Sequence, residues 1–120
     1  MSKVIILGAG AAPGVPALAN GFGNCDPKNP KNIRLRSGTY MELSGVKFLI
    51  DTSPDLRMQL ILSDIRHIDA VFYTHTHADH LHGIDDLREI NRISGKAVEL
   101  FASKDNLAVI RTRFPYLIAD

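Results

Sequence analysis

The sequence predicts an α/β fold in which one mixed sheet carries helices on one face. Short runs rich in β-branched and aromatic residues, such as Val46–Ile50 and Ala70–Thr74, have the composition of strands. After them, apolar residues recur at helical spacing, as in Leu56–Ile61 and Ile84–Ile90. Strands that alternate with helices are typical of a sheet layer covered by helices. We therefore expect residues 1–120 to belong to a single domain.

Composition and charge exclude several classes of protein. Of the 120 residues, 45% are hydrophobic and 22% are charged, as in ordinary globular proteins. The net charge of +1 predicts no bulk attraction to nucleic acid or membrane. No apolar run approaches the ~20 residues that span a bilayer, and no signal peptide opens the chain. The single cysteine, Cys25, excludes an internal disulfide and suits a reducing compartment, so we expect a cytoplasmic protein.

The N-terminal segment combines a strand with a glycine-rich turn. Val4–Leu7 is an apolar run that predicts a central strand. Gly8 and Gly10 follow, as in dinucleotide-binding loops, but Pro13 stands where the third glycine would be and no helical pattern begins there. A turn that brings the backbone close to a bound anion explains the glycines better.

Residues 11–37 predict a long irregular loop, because prolines, glycines and asparagines are concentrated there. The end of this loop is basic. Arg34 and Arg36 have two interpretations: they recognise a phosphate of the substrate, or they are solvated surface charges. Cys25 lacks the partners that a four-ligand structural zinc site needs, so we expect a free thiol.

The remaining elements have recognisable boundaries. Thr39–Leu43 and Val46–Ile50 predict a β-hairpin around Ser44 and Gly45. Ser53 and Pro54 predict the start of the next helix. Later boundaries are a helix end at Ser94-Gly95, a strand over Val98–Phe101, a helix capped by Ser103, and a stop at Pro115.

The densest chemical signal lies between the predicted strand Ala70–Thr74 and the following helix. Four of the five histidines of the chain fall within the ten residues Thr74–Gly83, together with an aspartate. Imidazole and carboxylate are common ligands of zinc, manganese and iron. The spacing allows His75 and His77 to share one ion while Asp79 and His80 turn towards a second. Asp79 is also placed to take a proton from an attacking water.

Other interpretations of this stretch remain open. Asp79 or Asp85 would also serve as helix caps in a merely polar loop. His82 lies outside the four-ligand pattern, either just behind the ligands or facing a substrate. His67 stands apart in the sequence, so we leave it out of the site.

The run Thr74–His80 resembles the HxHxDH signature of the metallo-β-lactamase superfamily of hydrolases. The runs Leu49–Arg57 and Gly83–Arg88, with the opening glycines, resemble the branch that contains the phosphoribosyl cyclic phosphodiesterases and, more distantly, tRNase Z. The resemblance implies an αββα sandwich of two sheets and two divalent metal ions, most often zinc or manganese. It also implies that Asp51 orients the metal loop from behind, whereas a polar strand end is its simpler role.

Members of this family are considerably longer and take further metal ligands from later motifs. After His82 the sequence has no histidine, and Asp120 follows no recognisable motif. The resemblance therefore implies the N-terminal half of a metallo-β-lactamase-like domain, with an incomplete site. The sheet face opposite the helices would be bare, so we expect a second copy of the chain or a missing C-terminal half to cover it.

Three functions remain at this point. The first is hydrolysis of a small cyclic or nucleotide-like phosphodiester by a water that two metal ions activate. The second is a truncated or split, catalytically incomplete half that binds metal weakly and needs a partner. The third is tRNase Z-like processing of RNA ends, which the nearly neutral charge disfavours, so we expect no nucleic acid partner.

Overall fold

The computed structural model describes residues 2–118 as one five-stranded sheet with helices. The strands are β1 (Lys3–Gly8), β2 (Gly38–Leu43), β3 (Val46–Ile50), β4 (Ala70–Phe72) and β5 (Glu99–Phe101). The helices are α1 (Leu56–Leu62), α2 (Ala78–Leu81), α3 (Leu87–Ser94) and α4 (Lys104–Arg113), with 3-10 turns at Pro30–Asn32 and Ile84–Asp86. Asp120 lies outside the described residues.

The strands follow one another in chain order across the sheet. β1, β2 and β3 are antiparallel, whereas β4 and β5 run parallel to β3. The parallel pairs need helical crossovers, which α1 and the α2–α3 segment supply. The prediction of one mixed sheet in an α/β fold is therefore confirmed.

The tight turn between β2 and β3 fixes their register. Ser44 and Gly45 both have positive φ angles, 50° and 83°, as a type I′ turn requires. Leu43 consequently faces Val46, and the pairing continues to Thr39 opposite Ile50. This register places the end of β3 beside the start of β2, at the edge of the sheet where the metal-ligand motif also begins.

The core lies between the helices and one face of the sheet. Alternate strand residues supply the sheet side, and Leu49 and Val71 are fully buried there. Leu56 of α1, Leu87 of α3 and Ile110 of α4 cover them from the helical side. Helices α1, α3 and α4 therefore pack on the same face of the sheet.

The prediction that Val4–Leu7 is a central strand is wrong. β1 lies at the edge of the sheet, and Val4 and Ile6 are more than half exposed. An apolar run shows that both faces of a strand are hydrophobic, but it does not show which neighbours the strand has. Here only the Ile5 and Leu7 side faces the core.

Two other predicted boundaries shift for a physical reason. α1 begins at Leu56, because the Ser53 hydroxyl accepts the N–H of Asp55 and donates to Gln59, closing a turn before the helix. β4 ends at Phe72 rather than at Thr74. The N–H of Thr74 donates to a side-chain carboxylate instead of a neighbouring strand.

The predicted helix ends in the C-terminal part are confirmed. Gly95 ends α3 in the left-handed conformation, with φ of 74°. The Ser103 hydroxyl accepts the N–H of Asn106 and caps α4, which ends at Arg113, two residues before Pro115.

The long loop at residues 11–37 is irregular, as predicted, but it folds back on itself. The N–H of Gly10 donates to Leu35, and Val15 exchanges two backbone hydrogen bonds with Arg34. A Cβ at Gly8 would overlap the carbonyl of Arg36. Close approach between two backbone segments therefore explains the glycines at this turn, without a bound anion. Cys25 is exposed and free, as expected.

The sheet face opposite the helices is apolar and open. Phe72 forms an edge contact with Phe48, at 5.3 Å between ring centroids, and stacks on Phe101 at 4.9 Å. Val46, Ile50 and other apolar side chains continue this surface, which we call the open sheet face. Among residues 2–118, no helix combines the length and the apolar character that crossing a membrane would require.

Candidate metal centre

The candidate site lies at the end of the sheet where the carboxyl termini of the inner strands β3 and β4 are found. Because Ile50 faces Phe72 in the parallel register, Asp51 and the Tyr73-Thr74 pair emerge side by side. The metal-ligand motif then runs from His75 into α2. Loops at the carboxyl ends of adjacent parallel strands meet in space, so this edge brings distant parts of the chain together.

Asp51 is the polar centre of this edge. Its residue is only 5% exposed, and its backbone is left-handed, with φ of 65°. One carboxylate oxygen accepts the N–H of Thr74 at 2.8 Å, and the other accepts the Thr74 hydroxyl at 2.7 Å and His80 Nδ1 at 2.7 Å. A strained non-glycine backbone of this kind persists where surrounding contacts hold it, and such positions concentrate at functional sites.

These hydrogen bonds fix the tautomers of two imidazoles. The Thr74 hydroxyl gives its proton to Asp51, so it can only accept from His75 Nδ1, which lies 2.8 Å away. His80 Nδ1 likewise donates to the carboxylate. In both rings the proton therefore sits on Nδ1, and the Nε2 lone pair is free for a metal ion.

The four predicted ligands make pairwise contacts, but among residues 2–118 their ligand atoms do not all lie within 4.8 Å of one another. The ring centroid of His75 lies 4.8 Å from that of His77 and 4.1 Å from that of His80. An Asp79 carboxylate oxygen is 3.3 Å from His80 Nε2. Three imidazoles and a carboxylate are a donor set that divalent zinc, manganese or iron accepts, so the residues present fit a metal ion.

The ligand atoms of Asp51, His75 and His80 do lie within 4.8 Å of one another. The 2.7 Å contact between Asp51 and His80 Nδ1 is a hydrogen bond, however, and two ligands of one ion do not share a proton. We therefore assign Asp51 the role of holding the imidazoles from behind. This geometry agrees with the role that the family resemblance implies.

Hydrogen bonds from Thr52 hold the loop that carries the candidate metal ligands, and the sequence analysis missed this residue. Its N–H donates to the carbonyl of His80, its carbonyl accepts the N–H of Gly83, and its hydroxyl donates to Leu81. The Tyr73 hydroxyl must then donate to Thr52. Burial, and secondarily the charge of Asp51, raise the pKa of Tyr73 well above its ordinary value, so the phenol keeps this proton.

Gly83 is required at the end of this loop, because a Cβ there would overlap the carbonyl of Ser53. Helix α4 supports the loop from the other side. Arg113 donates to the carbonyl of Thr76 at 2.6 Å, and Asn106 to that of Thr74 at 3.4 Å. No sequence motif marks these two residues. Their roles follow only from the packing of α4 beside the loop.

The remaining predicted residues occupy different surroundings. The ring of His82 is edge-on to Phe114, with 5.8 Å between centroids, and the residue is exposed. His67 pairs with Asp69 instead of joining the cluster. Arg34 is exposed, whereas Arg36 is half-buried and lies 3.3 Å from Asp55.

Comparison with known proteins agrees with the fold and the motif. The family described as "Beta-lactamase superfamily domain" matches residues 47–120. Residues of the chain are 34% identical to a protein of Porphyromonas gingivalis named octanoyltransferase, over 96% of this chain and 23% of that protein. A ribonuclease Z of Methanocaldococcus jannaschii is 31% identical over 82% of this chain and 26% of its own length.

Solved structures give the same result. A diphosphatase of the PhnP family superposes with a TM-score of 0.82 at 37% identity, over 98% of this chain and 48% of that structure. Zinc-bound PqqB of Methylobacterium extorquens gives a TM-score of 0.74 at 28% identity, over all of this chain and 44% of its own.

The chain therefore belongs to the metallo-β-lactamase superfamily, a superfamily of hydrolases whose members bind divalent metal ions. The similarity to the PhnP family confirms the expected branch. The chain spans about half the length of the solved structures it matches and 23% to 39% of the curated relatives.

The hydrogen bond between Thr74 and His75 predicts how substitutions affect metal binding. Replacing Thr74 with Val removes both hydroxyl contacts and frees the His75 ring to rotate. We expect zinc affinity to fall about 10–100-fold, the range found when the partners of ligand imidazoles are removed. Thr74→Ser keeps the hydroxyl and should stay within about threefold of the unmodified protein.

Zinc titration in competition with a chelating dye measures this change, and circular dichroism checks that each variant folds. Thr76→Val is the matched control, because it makes the same change in the same loop and, within residues 2–118, Thr76 is hydrogen-bonded through its backbone carbonyl and not through its hydroxyl. Equal losses of affinity in the Thr74 and Thr76 valine variants would contradict the role given to the Thr74 hydroxyl.

Proposed function

We propose that this protein is a metal-dependent phosphodiester hydrolase that uses two divalent ions, zinc or manganese. The observation that carries this proposal is the imidazole cluster built on Asp51, with the Nε2 atoms of His75 and His80 left free by their hydrogen bonds. The left-handed backbone and the buried carboxylate of Asp51 both cost free energy, and a loop that is merely polar would need neither of them.

Each residue has a specific task in this proposal. His75 and His77 would hold the first ion, and Asp79 and His80 would contribute to the second. When bound, the ions would make hydroxide available near neutral pH and offset negative charge on the phosphoryl oxygens. Asp79, which is partly buried beside His80, accepts a proton from the attacking water. Asp51 and Thr52 keep the loop in place.

The names of two relatives support phosphorus chemistry. Both "diphosphatase" and "ribonuclease Z" denote cleavage of bonds to phosphorus. The octanoyltransferase match covers 23% of that protein and the ribonuclease Z match 26%, so neither name by itself assigns an activity to this chain. A small or nucleotide-like diester is the proposed substrate, and RNA ends are the second candidate because of the ribonuclease Z similarity. The net charge of +1 favours the small substrate.

A hydrolase of this design also needs a partner unit. Four candidate ligands are few for two ions, and the open sheet face leaves Phe72 and Phe101 more than 40% exposed. Apolar patches of several aromatic residues mark surfaces that bind another protein unit. We propose that this face packs against a second copy of the chain or against a C-terminal half that completes the site.

Hydrolysis of bis(p-nitrophenyl) phosphate tests the activity. In protein that elemental analysis shows to hold close to two metal equivalents, we expect turnover that EDTA abolishes and added metal restores. Asp79→Asn should lower kcat at least about 100-fold, because a proton acceptor and a proposed metal ligand are lost together. The matched control is Asp85→Asn, since Asp85 pairs with the exposed side chains of Arg88 and Tyr116.

Metal-loaded protein that leaves the diester intact would contradict the proposed activity, as would turnover that survives EDTA. Protein with little bound metal would instead support the incomplete-half alternative. Cleavage of RNA ends with no action on the small diester would favour the ribonuclease Z-like candidate.

The open sheet face makes a separate prediction. Phe72→Asp places a charge at the centre of the aromatic stack, and we expect it to abolish association through this face. Sedimentation velocity of the chain, alone and with any associated half, measures the effect. Leu18→Asp is the control, because Leu18 is fully exposed in the long loop. An assembly that survives Phe72→Asp would rule out this face as its interface.

A further inference from the structure

Helix α4 presents a row of three side chains beside the loop of candidate metal ligands, residues 74–80. The row consists of Asn106, Ile110 and Arg113, which lie four and three residues apart, the spacing of one helix face. Ile110 is fully buried in the core and fixes this face against the rest of the domain. The two polar members lie one helical turn away from Ile110 on either side. The buried side chain therefore holds both of them at defined places along the loop.

The two polar side chains bind two carbonyl oxygens of the loop. Asn106 Nδ2 donates to the carbonyl of Thr74 at 3.4 Å, and Arg113 Nη1 donates to the carbonyl of Thr76 at 2.6 Å. The second hydrogen bond is shorter and its donor is charged, so it is the stronger of the two. Arg113 is exposed, but the next residue, Phe114, packs against the core. The guanidinium therefore extends from a fixed stretch of backbone.

The carbonyl of Thr76 belongs to the same peptide unit as the N–H of His77. A peptide unit is planar, so a contact that fixes the direction of the carbonyl also fixes the N–H and the Cα of the following residue. His77 is extended, with φ of −63° and ψ of 149°, and it stands directly before helix α2. The contact with Arg113 therefore sets the direction in which the His77 side chain leaves the loop.

His77 depends on its backbone more than the other two histidine ligands do. His75 Nδ1 lies 2.8 Å from the Thr74 hydroxyl, and His80 Nδ1 lies 2.7 Å from the Asp51 carboxylate. The ring of His77 is exposed, and within residues 2–118 it makes no hydrogen bond of this kind. Its ring has the edge of His75 as a neighbour, at 4.8 Å between centroids. The backbone must therefore do for His77 what a hydrogen bond to the ring does for the other two.

The backbone of the loop is otherwise held at its two ends. The N–H of Thr74 donates to Asp51 at the first end, and the N–H of His80 donates to the carbonyl of His77 at the second. Between them, the backbone of residues 75–76 has one hydrogen-bond partner in the described part of the chain, the guanidinium of Arg113. One side chain thus controls the middle of the loop.

We propose that Arg113 is a positioning residue for metal binding. Its guanidinium fixes the Thr76 peptide unit and so turns the His77 imidazole to the side of the loop where His75 lies. Both rings can then reach the same ion. This inference rests on the proposed function for the pairing of His75 with His77 on one ion, but it requires no substrate and no second ion.

The charge of Arg113 would by itself act on metal affinity in the opposite direction. A cation beside the loop repels a divalent ion, so removal of the charge alone should strengthen metal binding. Loss of the hydrogen bond frees the peptide unit before His77 and should weaken metal binding. The sign of the change in a neutral variant of Arg113 therefore separates positioning from simple electrostatics.

The zinc affinity of the folded protein, measured against a competing chelator, tests this role. Arg113→Met keeps the length of the side chain but has no donor, and we expect about tenfold weaker binding. Arg113→Lys keeps a charged donor and should stay within about threefold of the unmodified protein. The matched control is Arg111→Met, which removes the same charge from an exposed position of the same helix and should change the affinity less than about twofold.

A double-mutant cycle with His77→Ala identifies the ligand through which Arg113 acts. Once the His77 imidazole is absent, Arg113→Met should change zinc affinity less than about twofold. NMR of the metal-free protein gives an independent measurement. The amide nitrogen signal of His77 should shift more in Arg113→Met than those of His75 and His80, because a hydrogen bond to a carbonyl polarises the peptide unit that contains it.

Zinc affinity that is unchanged or increased in Arg113→Met would overturn the inference, as would equal losses in the Arg111 and Arg113 methionine variants. So would the same loss with and without the His77 imidazole. A His77→Ala variant that binds zinc as tightly as the unmodified protein would refute the ligand assignment of the proposed function together with this inference. Absence of phosphodiester hydrolysis alongside the predicted affinities would refute the proposed activity and support the role of Arg113.

Discussion

A buried carboxylate, that of Asp51, is the constraint on which the rest of this structure depends. Placing a charge in a low-dielectric interior is costly unless hydrogen bonds satisfy it, and Asp51 satisfies its oxygens with the N–H and hydroxyl of Thr74 and with His80. The same bonds end β4 early, set the ring orientation of two histidines and hold the backbone of Asp51 left-handed. The same hydrogen bonds to Asp51 therefore stabilise the loop and orient the imidazoles for a metal ion.

The architecture gives the two faces and the edge of the sheet separate tasks. One face is buried by helices and anchors the edge. The edge carries the imidazole cluster. The open sheet face, centred on Phe72, is the surface at which we propose that a second unit packs. Because the site and this face belong to the same strands, we expect association at this face to affect the metal centre.

The sequence predicted those features that local patterns determine. The turn at Ser44-Gly45, the caps at Gly95 and Ser103, and the dense histidine motif each follow from residue type and spacing. The position of β1 at the sheet edge did not, because an apolar run carries no information about its neighbours. Nor did the role of Thr52, since single threonines beside strands have no motif and act only through contacts formed by the fold. Glycines that resembled an anion loop prove to serve close backbone packing.

The most direct test of this account is the metal content of the protein with and without the Asp51 carboxylate. Elemental analysis after dialysis, on the unmodified chain and on Asp51→Ala, measures it, with circular dichroism to confirm that both are folded. The account predicts at least one equivalent of zinc or manganese in the unmodified chain and a loss of most of it in Asp51→Ala. Equal metal content in the two folded proteins would contradict it, as would an unmodified chain that retains no metal at all.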